Sequence, residues 1–315
     1  MIPSFEGPAL SLLIERFAGY PDAVYRLTGH PVEWMGRWLT DLERRLFRQG
    51  VTQREGRLRG TAALGLMLLP MLAASLAIHL ALSQVAFGWI VEALIATVFI
   101  AQKSLRDHVT AVADGLDVGI EEGREAVARI VGRDPAQLDE SGVSRAALES
   151  LAENFSDGVV APVLWYVLLG LPGIALYKAI NTADSMIGHR TERYRDFGWA
   201  AARLDDVVNL PASRLTAVLI GAAARMPFAS VWETVRRDAP RHLSPNAGWP
   251  EAALAAGLDI RLGGPRSYDG LSVDLATMGD GRDELSRDDI RGGLALYDRA
   301  LSLLFLVVLA GTILI

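Results

Sequence analysis

The stretch GTAALGLMLLPMLAASLAIHLALSQVAFGWIV, residues 60–91, contains no Asp, Glu, Lys or Arg. A membrane-spanning helix needs about 20 apolar residues, so this run holds most of a helical pair, joined at the uncharged turn Ser83-Gln84. It predicts a transmembrane hairpin over 60–101, with helices over 60–82 and 85–101. Arg44, Arg45, Arg48, Arg54, Arg57 and Arg59 precede it, and Lys103 and Arg106 follow it. Positive flanks mark the cytoplasmic side, so both ends of the hairpin are expected there. Residues 300–315 again carry no charge, and a final span is expected over 298–315. With 51% hydrophobic residues and a positive mean hydropathy, the chain reads as an all-α polytopic integral membrane protein.

Outward from that hairpin, the chain reads as a single membrane-embedded domain, 1–315. Residues 1–59 suggest short amphipathic helices. A cytoplasmic helical segment over 103–156 is broken at Gly132-Arg133-Asp134-Pro135, a turn signal. The next apolar stretch, 159–224, is expected to form broken or re-entrant helices. Gly170-Leu171-Pro172-Gly173 splits its first part, and Pro211 with Arg214 interrupts its second. If both parts crossed the membrane, Arg190, Arg193, Arg195 and Arg203 would lie outside, against the positive-inside rule. A cytoplasmic loop over 182–206 is therefore expected. Residues 225–296 read as soluble, with a helix start at Ser286.

Net charge is −6, which leaves no basic surface for nucleic acid. The absence of cysteine excludes disulfides, thiolate catalysis and a Cys-based zinc site. The first strongly apolar run follows a charged stretch, unlike a removable signal segment. No Walker A, GxSxG or internal repeat is present. His79 and Glu92 lie inside the hairpin. Each is expected to be satisfied by polar neighbours in the bundle, although intramembrane acids are costly and often functional.

Chemistry-bearing residues gather around the broken stretch. Glu149, Glu153 and Asp157 are spaced four apart, within roughly 80° of one helix face at 100° per residue. A solvated acidic face is the simpler reading. Coordination of Mg²⁺ through carboxylate oxygens is the functional one, because Asp184 and Asp196 follow at the far end of the apolar hairpin. Lys178, Arg193, Arg195 and Arg203 supply complementary charge for phosphate or carboxylate, or else anchor at lipid headgroups. Asp205-Asp206 either add ligands or pair with Arg203 and Arg214. The expected metal ligands are Glu149, Glu153, Asp157 and Asp184. The expected catalytic groups are Glu153, Asp157, Asp184 and Asp196, with His189 and His242 as bases by their ordinary pKa. Lys178, Asn181, Arg193, Arg195, Arg203 and Asn246 are the expected substrate and phosphate contacts.

Long, ordered strings in this chain resemble the CobD/CbiB family, the adenosylcobinamide-phosphate synthases. They are His30-Pro31-Val32-Glu33-Trp34-Met35-Gly36; Ala152-Glu153-Asn154-Phe155-Ser156-Asp157-Gly158-Val159-Val160-Ala161-Pro162; and Tyr177-Lys178-Ala179-Ile180-Asn181-Thr182-Ala183-Asp184-Ser185-Met186. Further matches begin at Glu192-Arg193-Tyr194-Arg195-Asp196-Phe197-Gly198-Trp199, at Ser244-Pro245-Asn246-Ala247-Gly248-Trp249-Pro250 and at Arg261-Leu262-Gly263-Gly264-Pro265. One departure is Ile14-Glu15-Arg16-Phe17-Ala18-Gly19-Tyr20-Pro21, where the family often carries an aspartate.

The resemblance implies ATP-dependent amide formation between adenosylcobyric acid and (R)-1-amino-2-propanol phosphate, or a close amino-alcohol phosphate. It implies Mg²⁺, ATP as a substrate, and an inner-membrane location with the site facing the cytoplasm. It leaves room for partnership with other cobalamin-pathway proteins as well as the lipid bilayer. The alternative is a Mg²⁺-dependent intramembrane prenyl or alcohol-phosphate transferase, but no DDxxD motif or paired downstream acids occur. A transporter or scaffold would show symmetric helix repeats, and none is seen.

Overall fold

The computed structural model describes residues 5–132, 134–189, 191–264, 266–268, 271–273 and 276–314. Arg133, Arg190 and Pro265, singled out above, lie outside the described residues. The helices are α1 Glu6–Ala18, α2 Asp22–Thr28, α3 Pro31–Leu46, α4 Gln53–Leu82, α5 Gly88–Thr97, α6 Gln102–Val118, α7 Ile120–Val127 and α8 Glu140–Phe155. A π turn, Ser156–Val160, leads into α9 Ala161–Ile187, followed by α10 Trp199–Ala223, α11 Phe228–Asp238, α12 Gly248–Leu258 and α13 Arg287–Leu314. Among the described residues, four helical runs are long and apolar enough to cross a membrane: Gln53–Leu82, Gly88–Val118, Glu140–Ile187 and Arg287–Leu314. The protein is an all-α polytopic membrane protein.

The chain divides into two compact units. The first comprises residues 1–101, 161–209 and 308–315; the second comprises 102–160 and 210–307. In the first, Thr52 caps α4 by accepting the Glu55 amide N–H. Small or slender residues Gly60, Ala63, Leu64, Met67 and Ser75 form its buried stripe, while Leu66, Leu69, Leu72, Leu76 and Leu80 face outward. An apolar exterior over a small-residue interior is the pattern of a helix set in lipid, where close backbone approach drives packing.

The second arm of the hairpin is shorter than expected. Helix α5 has ten residues, about 15 Å. Phe87 before it is left-handed at φ 62°. A side chain on Gly88 would collide with the Leu82 carbonyl, so only glycine permits so tight a connection. Residues 98–101 then leave the helix before α6 begins.

Helix α9 breaks as the Gly-Leu-Pro-Gly string suggests. Gly170 has φ 65° and ψ −157°, outside helical space. Eight residues of straight helix would separate Trp165 from Gly173 by about 12 Å. Instead, a Cβ on Gly173 would overlap the Trp165 carbonyl oxygen. The chain doubles back here, with residues 161–169 as one arm and 171–187 as the other. The second arm is buried on nearly every side, through Leu171, Ile174, Ala175, Tyr177, Ala179 and Ala183.

The break expected at Pro211 is absent: α10 is continuous from Trp199 to Ala223. Proline removes one amide and loosens the carbonyls a turn earlier. The Trp165 indole N–H donates to the Val208 carbonyl at 3.1 Å in that turn, which compensates within the first unit.

In the second unit, α8 buries Val143, Ala147, Leu148, Leu151 and Phe155. Phe155 meets Tyr297 edge-on, with ring centroids 5.0 Å apart. The expected helix start at Ser286 is present. Its amide and hydroxyl both donate to Asp289, at 2.9 and 3.3 Å, fastening the first turn of α13. Two antiparallel ribbons were not expected: β1 (Leu262–Gly263), β2 (Arg266–Tyr268), β3 (Leu271–Val273) and β4 (Thr277–Met278), with β1 paired to β4 and β2 to β3. Strands of two or three residues carry too little alternation to read.

Candidate functional site

The second arm of α9 carries Lys178, Asn181 and Asp184, all half-buried, in the first unit. Facing it, Asp205 on α10 is 8% exposed. Its two oxygens accept from the Asn209 side-chain amide at 2.9 Å and the Asn181 amide at 3.5 Å. Tyr177 in turn donates its hydroxyl to the Asn209 carbonyl oxygen at 2.9 Å. Burial, and then the neighbouring Asp184 carboxylate, push the Asp205 carboxyl up to about 7, against the pull of the two amides. Asp206, by contrast, turns outward to Arg203 at 3.7 Å.

The asparagine–aspartate chain was not legible as a unit. Asp205 and Asn209 are four apart and so share one face of α10, which was the available signal. The adjacent acid Asp206 obscured which carboxylate turns inward.

The His30 string borders the same helix. His30 caps α3, its Nδ1 accepting the Val32 amide N–H at 3.2 Å. Burial first, and then the charge of Lys178, lower its pKa below the ordinary histidine value. Gly36 lies where a methyl would sit 3.3 Å from the Met186 sulfur, so α3 settles closely on the end of α9.

The stretch between α9 and α10 carries Arg193 and Arg195. Arg193 donates through Nε and Nη2 to one Glu43 oxygen, at 3.2 and 2.7 Å. Tyr194 donates its hydroxyl to the same oxygen at 3.0 Å. The guanidinium also lies over Phe47 at 4.7 Å. The fork edge expected to hold phosphate is therefore turned to Glu43, and Nη1 is the remaining edge. Asp196 pairs with Arg57 at 3.4 Å. Arg195 and His189 are exposed.

Backbone contacts fix this segment. A side chain on Gly60 would collide with the Phe197 carbonyl, one on Gly198 with the Ile187 carbonyl, and one on Gly188 with the Asp184 carboxylate. Between residues 47–52 and 191–197 lies a cleft of about 510 Å³. Arg48, Arg59 and Arg193 line it on the cationic side, Glu192 and Asp196 on the other.

The remaining expected site residues lie in the second unit. Glu149 is buried and accepts the Gly263 amide N–H at 2.8 Å, holding β1. Glu153 is exposed, and Asp157 sits in the π turn, half-buried. The wider π turn departs from the 100° step that placed all three on one stripe. His242 Nδ1 accepts the Ser244 amide N–H at 3.0 Å, and Nε2 faces Glu251 at 3.8 Å. Asn246 accepts from Ser213 and Arg214, at 3.1 and 2.8 Å, while Arg214 stacks on Trp249 at 4.5 Å. Among the described residues, no three His, Asp or Glu side chains are grouped to hold a metal ion.

A family model described as CobD/Cbib protein matches residues 8–297. The chain belongs to the CobD/CbiB family. Cobalamin biosynthesis protein CobD of Sinorhizobium fredii is 49% identical over 303 residues, covering 92% of this chain and 91% of that one. The protein of the same name in Rhodobacter capsulatus is 47% identical over 296 residues, covering 94% and 93%. That of Brucella melitensis is 43% identical over 313 residues, covering 97% and 96%. No solved structure matches the chain. In CobD/CbiB terms, two of the strings that carried the resemblance, around His30 and Asn181, border one cluster in the first unit.

Proposed function

We propose that this chain is a cobalamin-pathway ligase of the inner membrane that forms adenosylcobinamide phosphate. ATP is consumed as adenosylcobyric acid is joined to (R)-1-amino-2-propanol phosphate or a close amino-alcohol phosphate. The family match over most of the chain carries this reading, and the Asn181–Asp205–Asn209 cluster supports it.

The chemistry has two parts. The propionate oxygen attacks the γ-phosphorus of ATP, the bond to the β-phosphate oxygen breaks, and ADP leaves. The amine then attacks the acyl carbon, inorganic phosphate leaves, and the amine surrenders a proton. Lys178, Arg193, Arg195 and Arg203 balance the phosphate charge. Asp184 and Asp205 are two carboxylates brought together beside the Asn181 and Asn209 side-chain amides. Such a donor set suits Mg²⁺, which binds one or two carboxylates and keeps its other positions for water and substrate phosphates. When bound there, Mg²⁺ would neutralise nucleotide phosphate charge.

Glu153 and Asp157 remain proposed catalytic residues. For the proton, His189 is the better-placed histidine, because the His242 Nδ1 lone pair already accepts the Ser244 amide. The cytoplasmic face is proposed for residues 182–206, since ATP is found there. Purified protein supplied with both substrates, ATP and Mg²⁺ should form the amide and release one ADP per bond. Amide formation at an equal rate without nucleotide would reject the ligase. Transfer of a prenyl or alcohol phosphate in its place would favour the alternative.

A further inference from the structure

The break at Gly170 exposes a difficulty that the fold resolves. The first amides of a helix have no intrahelical partners, and an unsatisfied amide in an apolar setting is costly. The second arm of α9 begins in this way at Leu171. Its amide N–H donates to Glu92 Oε1 at 3.1 Å. The other oxygen, Oε2, lies 2.8 Å from His79 Nδ1. Glu92 is 8% exposed, and His79 Cε1 stands 3.3 Å from where a Gly170 Cβ would be. One carboxylate thus ties α4, α5 and the restart of α9 within a single unit. It also sits at a helix N-terminus, where a negative charge is favoured.

We propose that Glu92 is the positioning residue of this broken helix. It fixes the tip of the hairpin, and so sets where the second arm presents Lys178, Asn181 and Asp184. Residues 171–187 form a rigid rod from that anchored end, and displacement of the tip carries its polar end with it. Glu92 touches no reacting atom in this scheme; His79 holds its carboxylate in register. The activity readout rests on the ligase reading above, so the test includes one that does not.

The chain has no cysteine, so a single one at Ser185, an exposed position on the second arm, reports the arm's placement. Its alkylation rate by a maleimide is measured in full-length protein in lipid nanodiscs, together with turnover and melting temperature. Glu92→Gln keeps an oxygen for the Leu171 amide and an N–H for His79. It should alkylate and turn over within twofold of the parent. Glu92→Leu should change the alkylation rate at least fivefold and lower turnover at least tenfold. His79→Leu, which leaves the Leu171 bond, should fall between them and decides the matter if Glu92→Leu does not accumulate.

Parental alkylation in both leucine variants would overturn the proposal. So would a Glu92→Gln variant with parental alkylation but turnover as low as Glu92→Leu, since the charge itself would then act in the chemistry. If the protein forms no amide at all, the ligase reading fails, while the alkylation rates still judge the positioning role.

Discussion

Replacing Asp205 by Asn should give a stability change whose sign depends on pH. The folded protein holds this carboxyl at about 7 instead of its ordinary 3.8, through burial and the nearby Asp184 carboxylate. A raised carboxyl pKa works against the fold as pH rises. Below 3.8 both folded and unfolded chains carry the proton, and no difference arises. Between 3.8 and 7 the unfolded chain ionises first, and above 7 the penalty is complete. At 1.36 kcal/mol per pH unit this reaches roughly 4 kcal/mol at pH 8, and less than about 1 kcal/mol at pH 4. Asparagine removes the penalty but leaves one of two amide donors, Asn181 or Asn209, without its acceptor, a loss of about 1–2 kcal/mol. Asp205→Asn should therefore be more stable than the parent by about 2 kcal/mol at pH 8 and slightly less stable at pH 4, while turnover collapses. Thermal unfolding in detergent with EDTA reads the first effect. Adding Mg²⁺ at about 100 times its dissociation constant should then stabilise the parent by about 2.7 kcal/mol and leave the Asn variant unmoved. A variant equally destabilised at both pH values, with an unchanged Mg²⁺ response, would rule out both the raised Asp205 carboxyl and its role in holding Mg²⁺.

Other outcomes follow from the same geometry. Arg193→Lys keeps the charge but cannot present two N–H groups to Glu43 while stacking on Phe47, so turnover should fall tenfold or more; parental constants for both phosphorylated substrates would reduce Arg193 to a headgroup anchor. Gly60→Leu should release residues 188–198 from α4 and expose them to limited proteolysis, because its side chain cannot coexist with the Phe197 carbonyl; an unchanged digestion pattern counts against that packing. A single cysteine at Thr191 should resist an impermeant thiol reagent on intact cells and react after permeabilisation; labelling without permeabilisation would place the loop outside.

The long-range pattern was readable wherever composition alone decides. The uncharged run 60–91 announced a helical hairpin, and Gly170-Leu171-Pro172-Gly173 announced a break, because each acts through a property of many residues or of the backbone itself. Pro211 misled because its effect depends on a partner: the Trp165 indole that serves the Val208 carbonyl comes 43 residues before Val208 in sequence. In the candidate site, residue types were easier to read than their arrangement. Asp184 and Asn181 were expected, whereas the inward turn of Asp205 needed α9 and α10 to be placed side by side. Arg193 was read as a ligand-facing fork, yet Glu43, 150 positions earlier, engages two of its nitrogens. Spacing on one helix cannot reveal a partner on another.

Activation of a corrinoid carboxylate by ATP is the step on which the proposed function turns. Adenosylcobyric acid labelled with ¹⁸O in its free propionate tests it most directly. Transfer through an acyl phosphate predicts that one labelled oxygen leaves in inorganic phosphate for each amide formed, with ADP as the nucleotide product. Label released into water or found in AMP, with amide still accumulating, would rule out the acyl phosphate.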